Sequence, residues 1–155
     1  MIGVWPAPKP NKGLGKKAYT NVRLLDPATN LDKTCTNTGG LLTDGKKIAA
    51  LGLNIFENGI PEDAEIIDGG GHCLGPGLVD IRVQVREPGY EHKGTIESAG
   101  KAATAGGVTT MVCLPNTKPA IEDISQVEFV ARRARKIGLA KIYPYAALTQ
   151  KLEDI

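Results

Sequence analysis

Residues 75–89 read GPGLVDIRVQVREPG, and this stretch decides the predicted fold. A glycine–proline–glycine turn comes first, and the apolar residues after it predict a strand over residues 78–85. Side chains alternate between the two faces of a strand, so Ile81, Val83 and Val85 share one face. We expect this apolar face to pack against covering helices.

The opposite face of the same strand is polar and carries Arg82, Gln84 and Arg86. In barrel enzymes, side chains at this end of a strand line the mouth where the chemistry takes place. Arginine stays protonated and has no lone pair for a metal, and Gln84 offers only a neutral amide oxygen. The pattern therefore predicts a face that repels a divalent cation. The alternative is an ordinary polar strand end.

From residue 76 onward, predicted strands alternate with predicted helices, which is typical of parallel βα units. Thr95 is a candidate N-cap for the first helix, and Gly138 is a candidate stop for the second. A complete eight-unit barrel of such units needs about 250 residues, so the 155 residues are too few for one. The predicted strands are 78–85, 108–114 and 141–147, and the predicted helices are 95–105 and 123–137.

The segment before residue 76 has a different pattern, which divides into two parts. Residues 1–17 are rich in Pro, Gly and Lys and contain no acid, so we expect a flexible basic arm. Residues 18–75 predict a small β-domain, with Asp44 and Gly45 as a two-residue hairpin turn. The predicted strands of this domain are 19–25, 40–43, 46–51 and 64–68.

The composition favours an ordinary globular protein, with 41% hydrophobic and 23% charged residues. A net charge of +2 is too small to indicate nucleic-acid binding, and no apolar run approaches the ~18 residues of a membrane span. We therefore expect neither a nucleic-acid partner nor membrane insertion.

Three widely spaced cysteines, Cys35, Cys73 and Cys113, favour reduced thiols and a cytoplasmic location over a disulfide framework. Cys73 and Cys113 lie in apolar, strand-like stretches, so we expect both to be buried. The two histidines, His72 and His92, are far apart in sequence and lie in glycine-adjacent loops. We do not expect either histidine to bind a metal.

Several motifs carry a family resemblance, the most specific being the linked pair REPG at 86–89 and PNT at 115–117. With the Asp80 strand, EHK at 91–93, Thr95, AGGVTT at 105–110 and the flanking residues of LPNTKP at 114–119, they resemble dihydroorotases and related cyclic amide hydrolases of the amidohydrolase superfamily. The resemblance runs over roughly residues 19–152. It implies an α/β fold, the N-terminal part of a (β/α)8 TIM-like barrel preceded by a small β-domain.

The resemblance also implies a metal position that this sequence has lost. The family carries Asp-x-His-x-His on its first barrel strand, where the two imidazoles hold a catalytic zinc. Here the histidine positions are Arg82 and Gln84. We therefore expect no catalytic residue, no metal ligand and no cofactor in this chain.

In the family, the residues that match Arg86 and Asn116 bind the carboxylate of the substrate. The chemistry is suitable, because a planar guanidinium pairs bidentately with a carboxylate and an amide adds a directional donor. The alternatives are structural. Arg86 would form an ion pair with Glu87 or Asp80, and Asn116 would be a turn residue.

The family reaction is the reversible hydrolysis of dihydroorotate to carbamoyl-aspartate in pyrimidine biosynthesis. Three interpretations stay open. In the first interpretation, the chain is a catalytically silent scaffold that associates with aspartate carbamoyltransferase or with itself and binds a carboxylate-bearing small molecule. Alternatively, it is an active zinc-dependent cyclic amidohydrolase completed by residues beyond this chain. The third interpretation is a fragment without independent function.

Overall fold

A computed structural model describes residues 15–26 and 39–153 of the chain. The chain divides into two compact units, Met1–Pro76 and Gly77–Ile155. Most of the predicted N-terminal arm and Cys35 lie outside the described residues.

The first unit is a five-stranded sheet in the order β3-β2-β1-β4, with β5 also paired to β1. Neighbours β1 and β2, and β2 and β3, run antiparallel, whereas β4 and β5 run parallel to β1. Ala18, Val22 and Leu24 supply its buried apolar side chains. The strands are β1 (Lys16–Leu24), β2 (Gly39–Asp44), β3 (Lys47–Leu53), β4 (Ala64–Asp68) and β5 (Cys73–Leu74).

Strand β1 begins earlier than the sequence predicts, because Lys16 and Lys17 belong to it and not to the arm. Both side chains form ion pairs with acids at or next to β4. Lys16 Nζ lies 2.9 Å from Asp63 Oδ2, and Lys17 Nζ lies 3.2 Å from Glu65 Oε2. These pairs join the start of β1 to its parallel neighbour, a feature that composition alone does not reveal.

The predicted hairpin between β2 and β3 is present, but its turn is displaced by one residue. Asp44 pairs with Lys47, which leaves Gly45 and Lys46 as the two loop residues. Gly45 has φ 59°, a left-handed conformation that glycine adopts without steric cost. Glycine at the first loop position suits a two-residue hairpin.

The second unit contains the predicted alternation of strands and helices. Its three strands form a parallel sheet in the order β6-β7-β8. The first and third strands end before the predicted residues 85 and 147, since the chain leaves the sheet for loops there. The elements are β6 (Leu78–Val83), α1 (Ile96–Ala105), β7 (Val108–Cys113), α2 (Ile124–Ile137) and β8 (Lys141–Pro144).

Helix α1 begins after Thr95, its predicted N-cap, whereas Asp123, which the sequence predicts as the first residue of the second helix, is the N-cap of α2. The Thr95 side chain accepts a hydrogen bond from the Ser98 N–H, and the Asp123 side chain does the same for Gln126. In each helix the side chain of the third residue bonds back to the cap, which completes a capping box. Gly138 ends α2 with φ 70°, as its position after the apolar pattern predicts.

A single apolar cluster lies between the sheet and the two helices of the second unit. Cys113 belongs to it, as predicted, and burial raises the pKa of its thiol to about 11. The prediction for Cys73 is wrong, because this residue is exposed in the short strand β5. Members of the cluster are Val85, Ile96, Ala103, Met111, Cys113, Ile121, Val130, Ala134 and Ile142.

The predicted apolar face of β6 is only partly covered. Val85 is buried and Val83 is half-buried, but the Ile81 side chain is 64% exposed. Within the described residues β6 pairs on one side only, with β7, and α1 packs against β7. Ile81 therefore lies beyond the helices that we expected to cover it. No helix of the described segments is long and apolar enough to cross a membrane.

Candidate functional site

Two loops meet at the carboxyl ends of β6 and β7. The Leu114 N–H donates to the Val83 carbonyl over 2.9 Å, and the Lys118 N–H donates to the Pro88 carbonyl over 3.1 Å. Because both loops follow parallel strands, they lie at the edge of the sheet where α/β proteins bind ligands. The two bonds hold the loop of Arg86 against the loop that contains Asn116.

Gly89 lies against the second loop. Its φ is 92°, and a Cβ atom at this position would overlap the backbone carbonyl of Lys118. Only glycine fits such a contact. The Gly89 N–H donates to Glu91 Oε1 over 2.8 Å, and this bond lowers the pKa of the Glu91 carboxyl from its ordinary value.

Arg86 is half-buried at the start of the first loop, and its Nη2 donates a hydrogen bond to Gln84 Oε1. The predicted alternative of an ion pair is wrong for both named acids. Glu87 bonds to Arg133, and Asp80 Oδ1 accepts the backbone N–H of Arg82 over 2.9 Å. The Arg86 guanidinium thus has a neutral partner and keeps its charge available.

Asn116 lies in the second loop and is half-buried. The Pro115 carbonyl accepts the N–H groups of Thr117 and Ile121, over 2.9 and 3.0 Å. The structure thus agrees with the turn interpretation of Asn116 and also places it one loop away from Arg86. In the described part of the chain, no hydrogen bond joins the two side chains.

Glu87 is a residue of this site that sequence reasoning missed. Its side chain is buried, with 6% relative exposure for the residue. Glu87 Oε2 accepts the Ile96 N–H over 2.8 Å, and Oε1 accepts Arg133 Nε over 3.0 Å. An acid directly before Pro-Gly and a few residues before a helix N-cap was the available signal. From the sequence, Glu87 is expected only as an ion-pair partner of Arg86.

The residues at the predicted metal position do not fit a zinc ion. Arg82 is exposed and cationic, and the single suitable oxygen of the Gln84 side chain is engaged by Arg86. Among residues 15–26 and 39–153, no group of three His, Cys, Asp or Glu side chains could hold a metal ion. The donor set at Arg82 and Gln84 favours an anion over a cation.

Neither histidine is part of this donor set. His72 belongs to the first unit, where its Nδ1 is 2.8 Å from the Gly69 carbonyl oxygen. His92 is exposed in the second unit, and its ring forms a T-shaped contact with Tyr90 at a centroid distance of 6.4 Å.

Comparison with known families gives a match over residues 71–154 to the dihydro-orotase-like family model. The chain is 46% identical over 141 residues to the dihydroorotase of Wolbachia sp. subsp. Brugia malayi, covering 90% of this chain and 31% of that protein. It is 40% identical over 138 residues to the dihydroorotase of Syntrophotalea carbinolica, covering 89% of this chain and 31% of that protein. The chain therefore spans about a third of the length of these relatives.

Solved structures share the fold at lower sequence identity. The L-hydantoinase (dihydropyrimidinase) from Arthrobacter aurescens superposes with a TM-score of 0.67 at 22% identity, over 84% of this chain and 27% of that one. The N-isopropylammelide isopropylaminohydrolase from Burkholderia multivorans gives a TM-score of 0.53 at 17% identity, over 87% and 38% of the two chains. At these identities the likeness concerns the fold alone.

Proposed function

Because this chain belongs to the dihydroorotase-like family, we propose that it is a cytoplasmic protein of pyrimidine biosynthesis that binds carboxylates but does not hydrolyse dihydroorotate. One observation carries the proposal. At the position where the family resemblance implies a metal-binding histidine, Gln84 instead bonds the guanidinium of Arg86. Gln84, at the position of a zinc ligand in the family, therefore orients Arg86, the residue that would bind the substrate carboxylate.

The proposal includes the architecture around the site. We take the second unit as the N-terminal part of a (β/α)8 barrel and the first unit as the β-domain that precedes it. Three parallel strands with intervening helices support this reading, as does the fold shared with the hydantoinase. The loops of Arg86 and Asn116 would then lie at the carboxyl face of the barrel, where barrel enzymes bind their substrates.

Electrostatics at this face favours an anion. Arg82 lies in β6, and Arg86 follows four residues later in the loop after that strand, with Gln84 between them in sequence. Asp80 contributes the opposing charge on that face, but it is engaged by the backbone of Arg82. A carboxylate could pair with the Arg86 guanidinium through two parallel hydrogen bonds, and the Asn116 amide could add a third.

We expect Arg86→Met to lower the affinity for dihydroorotate by about 10- to 100-fold, because a hydrogen bond to a charged group contributes about 1.5–3 kcal/mol. Isothermal titration calorimetry of the purified chain measures this change. Arg132→Met is the matched control, since the Arg132 side chain is 70% exposed on α2 and pairs with Glu128. Equal affinity in the wild type and Arg86→Met would contradict the proposal.

The scaffold part of the proposal rests on the exposed apolar side chains of β6. Leu78, Val79 and Ile81 are 60%, 61% and 64% exposed, a concentration of apolar surface on one strand. Val79 and Ile81 share one face of β6, where exposed apolar surface can mark an interaction site, and an edge strand offers unpaired backbone groups. We propose that aspartate carbamoyltransferase covers this strand, with self-association as the competing outcome.

Ile81→Lys should abolish co-purification with aspartate carbamoyltransferase while leaving the melting temperature of the isolated chain nearly unchanged. The introduced charge would have to be desolvated at an apolar interface. Ile48→Lys is the matched control, because Ile48 is 65% exposed on a strand of the first unit. Retention of the partner by Ile81→Lys, or equal loss in the control, would contradict the assignment of this surface.

The second candidate function is a zinc-dependent cyclic amide hydrolase completed by residues outside this chain. The names of the relatives favour it, and so does the share of their length that the chain spans. Under this proposal Arg86 and Asn116 would keep their carboxylate-binding role. Zinc ligands and the catalytic base would come from elsewhere.

A further inference from the structure

We infer that Glu87 and Arg133 form a positioning pair. The pair keeps Glu87 from forming an ion pair with Arg86, so that the Arg86 guanidinium can bind a carboxylate ligand. The inference rests on the proposed function, in which Arg86 binds that carboxylate. Glu87 directly follows Arg86 in sequence, yet its side chain turns into the interior and bonds to Arg133 on α2. The two adjacent residues of opposite charge therefore do not neutralise each other.

Both oxygens of the Glu87 carboxylate are engaged. One accepts the Ile96 N–H at the start of α1, and the other accepts Arg133 Nε, with exposures of 7% and 39% for the Glu87 and Arg133 side chains. A carboxylate this deeply buried is stable only when paired and hydrogen-bonded. The contact thus ties residue 87 to two helices at once.

Helix capping alone does not account for Glu87. The N-terminus of α1 already has a complete capping box, formed between Thr95 and Ser98. Glu87 adds a bond from outside the helix, and Arg133 comes from a different helix. What the pair adds is a fixed position for the loop that carries Arg86.

The same loop is held on its other side. The Tyr90 N–H donates to the Arg86 carbonyl over 2.9 Å, and the Pro88 carbonyl accepts from Lys118. With the Arg86 guanidinium bonded to Gln84, both the backbone and the side chain of Arg86 are oriented before a ligand arrives. Orientation in advance lowers the entropy that binding would otherwise cost.

Arg133 has a second consequence, which is electrostatic. If Arg133 were replaced by an uncharged residue, the Glu87 carboxylate would lack its cation, and Arg86 would be the adjacent guanidinium. A ligand carboxylate would then compete with Glu87 for Arg86. The pair therefore acts through Arg86, and its effect on affinity should vanish when Arg86 is absent.

A double-mutant cycle tests this dependence in the full chain, with dihydroorotate affinity from calorimetry and the melting temperature as separate readouts. We expect Arg133→Met to weaken binding about tenfold in the wild type but less than about twofold in Arg86→Met. The melting temperature should fall equally in both backgrounds. Arg133→Lys, which retains the charge, should restore most of the affinity.

Glu87→Gln is the second variant, and it keeps an acceptor for the Ile96 N–H while removing the charge. Glu87→Gln should likewise weaken dihydroorotate binding in the wild type more than in Arg86→Met. Equal losses of affinity in both backgrounds, or no rescue by Arg133→Lys, would overturn the inference and leave the proposed function intact. If Arg86→Met alone does not weaken binding, the proposed function fails and the positioning role fails with it.

Discussion

Gly89→Ala should destabilise the chain by about 2–5 kcal/mol and displace the loop of Arg86. A left-handed conformation costs a non-glycine residue about 1–2 kcal/mol. Gly89 has φ 92°, and its new methyl group would also overlap the Lys118 carbonyl, with overpacking costing about 1–3 kcal/mol more. Because the overlap lies between the two loops, dihydroorotate affinity should fall as well.

Gly107→Ala is the matched control for this substitution. Gly107 has φ 77°, but a Cβ atom there would have no neighbour within 4 Å. We expect only the conformational cost of about 1–2 kcal/mol, without loss of ligand affinity. Urea denaturation and calorimetry of both variants give the two quantities. Equal destabilisation by the two substitutions would show that the close approach of the loops contributes nothing.

Ile96→Ala should cost about 2–5 kcal/mol of unfolding free energy, because truncating a buried isoleucine removes apolar contacts and leaves a cavity. Ile96 is fully buried at 0% exposure, and its backbone N–H donates to Glu87 Oε2. Its loss should therefore weaken both the core of the second unit and the anchoring of the Arg86 loop.

Ile124→Ala provides an unusually close control for Ile96→Ala. Both isoleucines are the first helical residue after a capping-box N-cap, but Ile124 is 76% exposed. Its truncation should change the unfolding free energy by less than about 0.5 kcal/mol. Urea denaturation of both variants measures the difference. Comparable losses at the two positions would contradict the described packing of α1.

Much of the fold could be predicted from local sequence signals. The helices begin at Thr95 and Asp123 because their side chains satisfy backbone donors that the helix leaves free. The end of α2 at Gly138 follows from the same local chemistry. Such signals act over a few residues, so one sequence suffices to read them.

The errors arose where distant residues decide the outcome. Ile81 alternates correctly with Val83 and Val85, but its exposure depends on which helices reach an edge strand. Cys73 has apolar neighbours in sequence but lies in a strand of two residues, where little packs over it. Periodicity gives the face of a side chain and does not give what covers that face.

In the candidate site, too, local sequence predicts some features and contacts between distant residues decide others. The positions of Arg86 and Asn116 after predicted parallel strands placed them on neighbouring loops. The choice of Arg133, rather than Arg86, as the partner of Glu87 joins residues 46 positions apart. No local pattern encodes that pairing, because it depends on how α2 packs beside the loop.

We propose that this chain binds a carboxylate and does not catalyse a zinc-dependent reaction. The most direct test measures dihydroorotate hydrolysis by the purified chain after chelation and after zinc addition, with zinc per chain counted in the same samples. We predict no turnover above background and no stoichiometric zinc, since Arg82 cannot ligate and its charge opposes a cation. Turnover that follows zinc content, with about one zinc per chain that Gln84→Ala removes, would contradict the account.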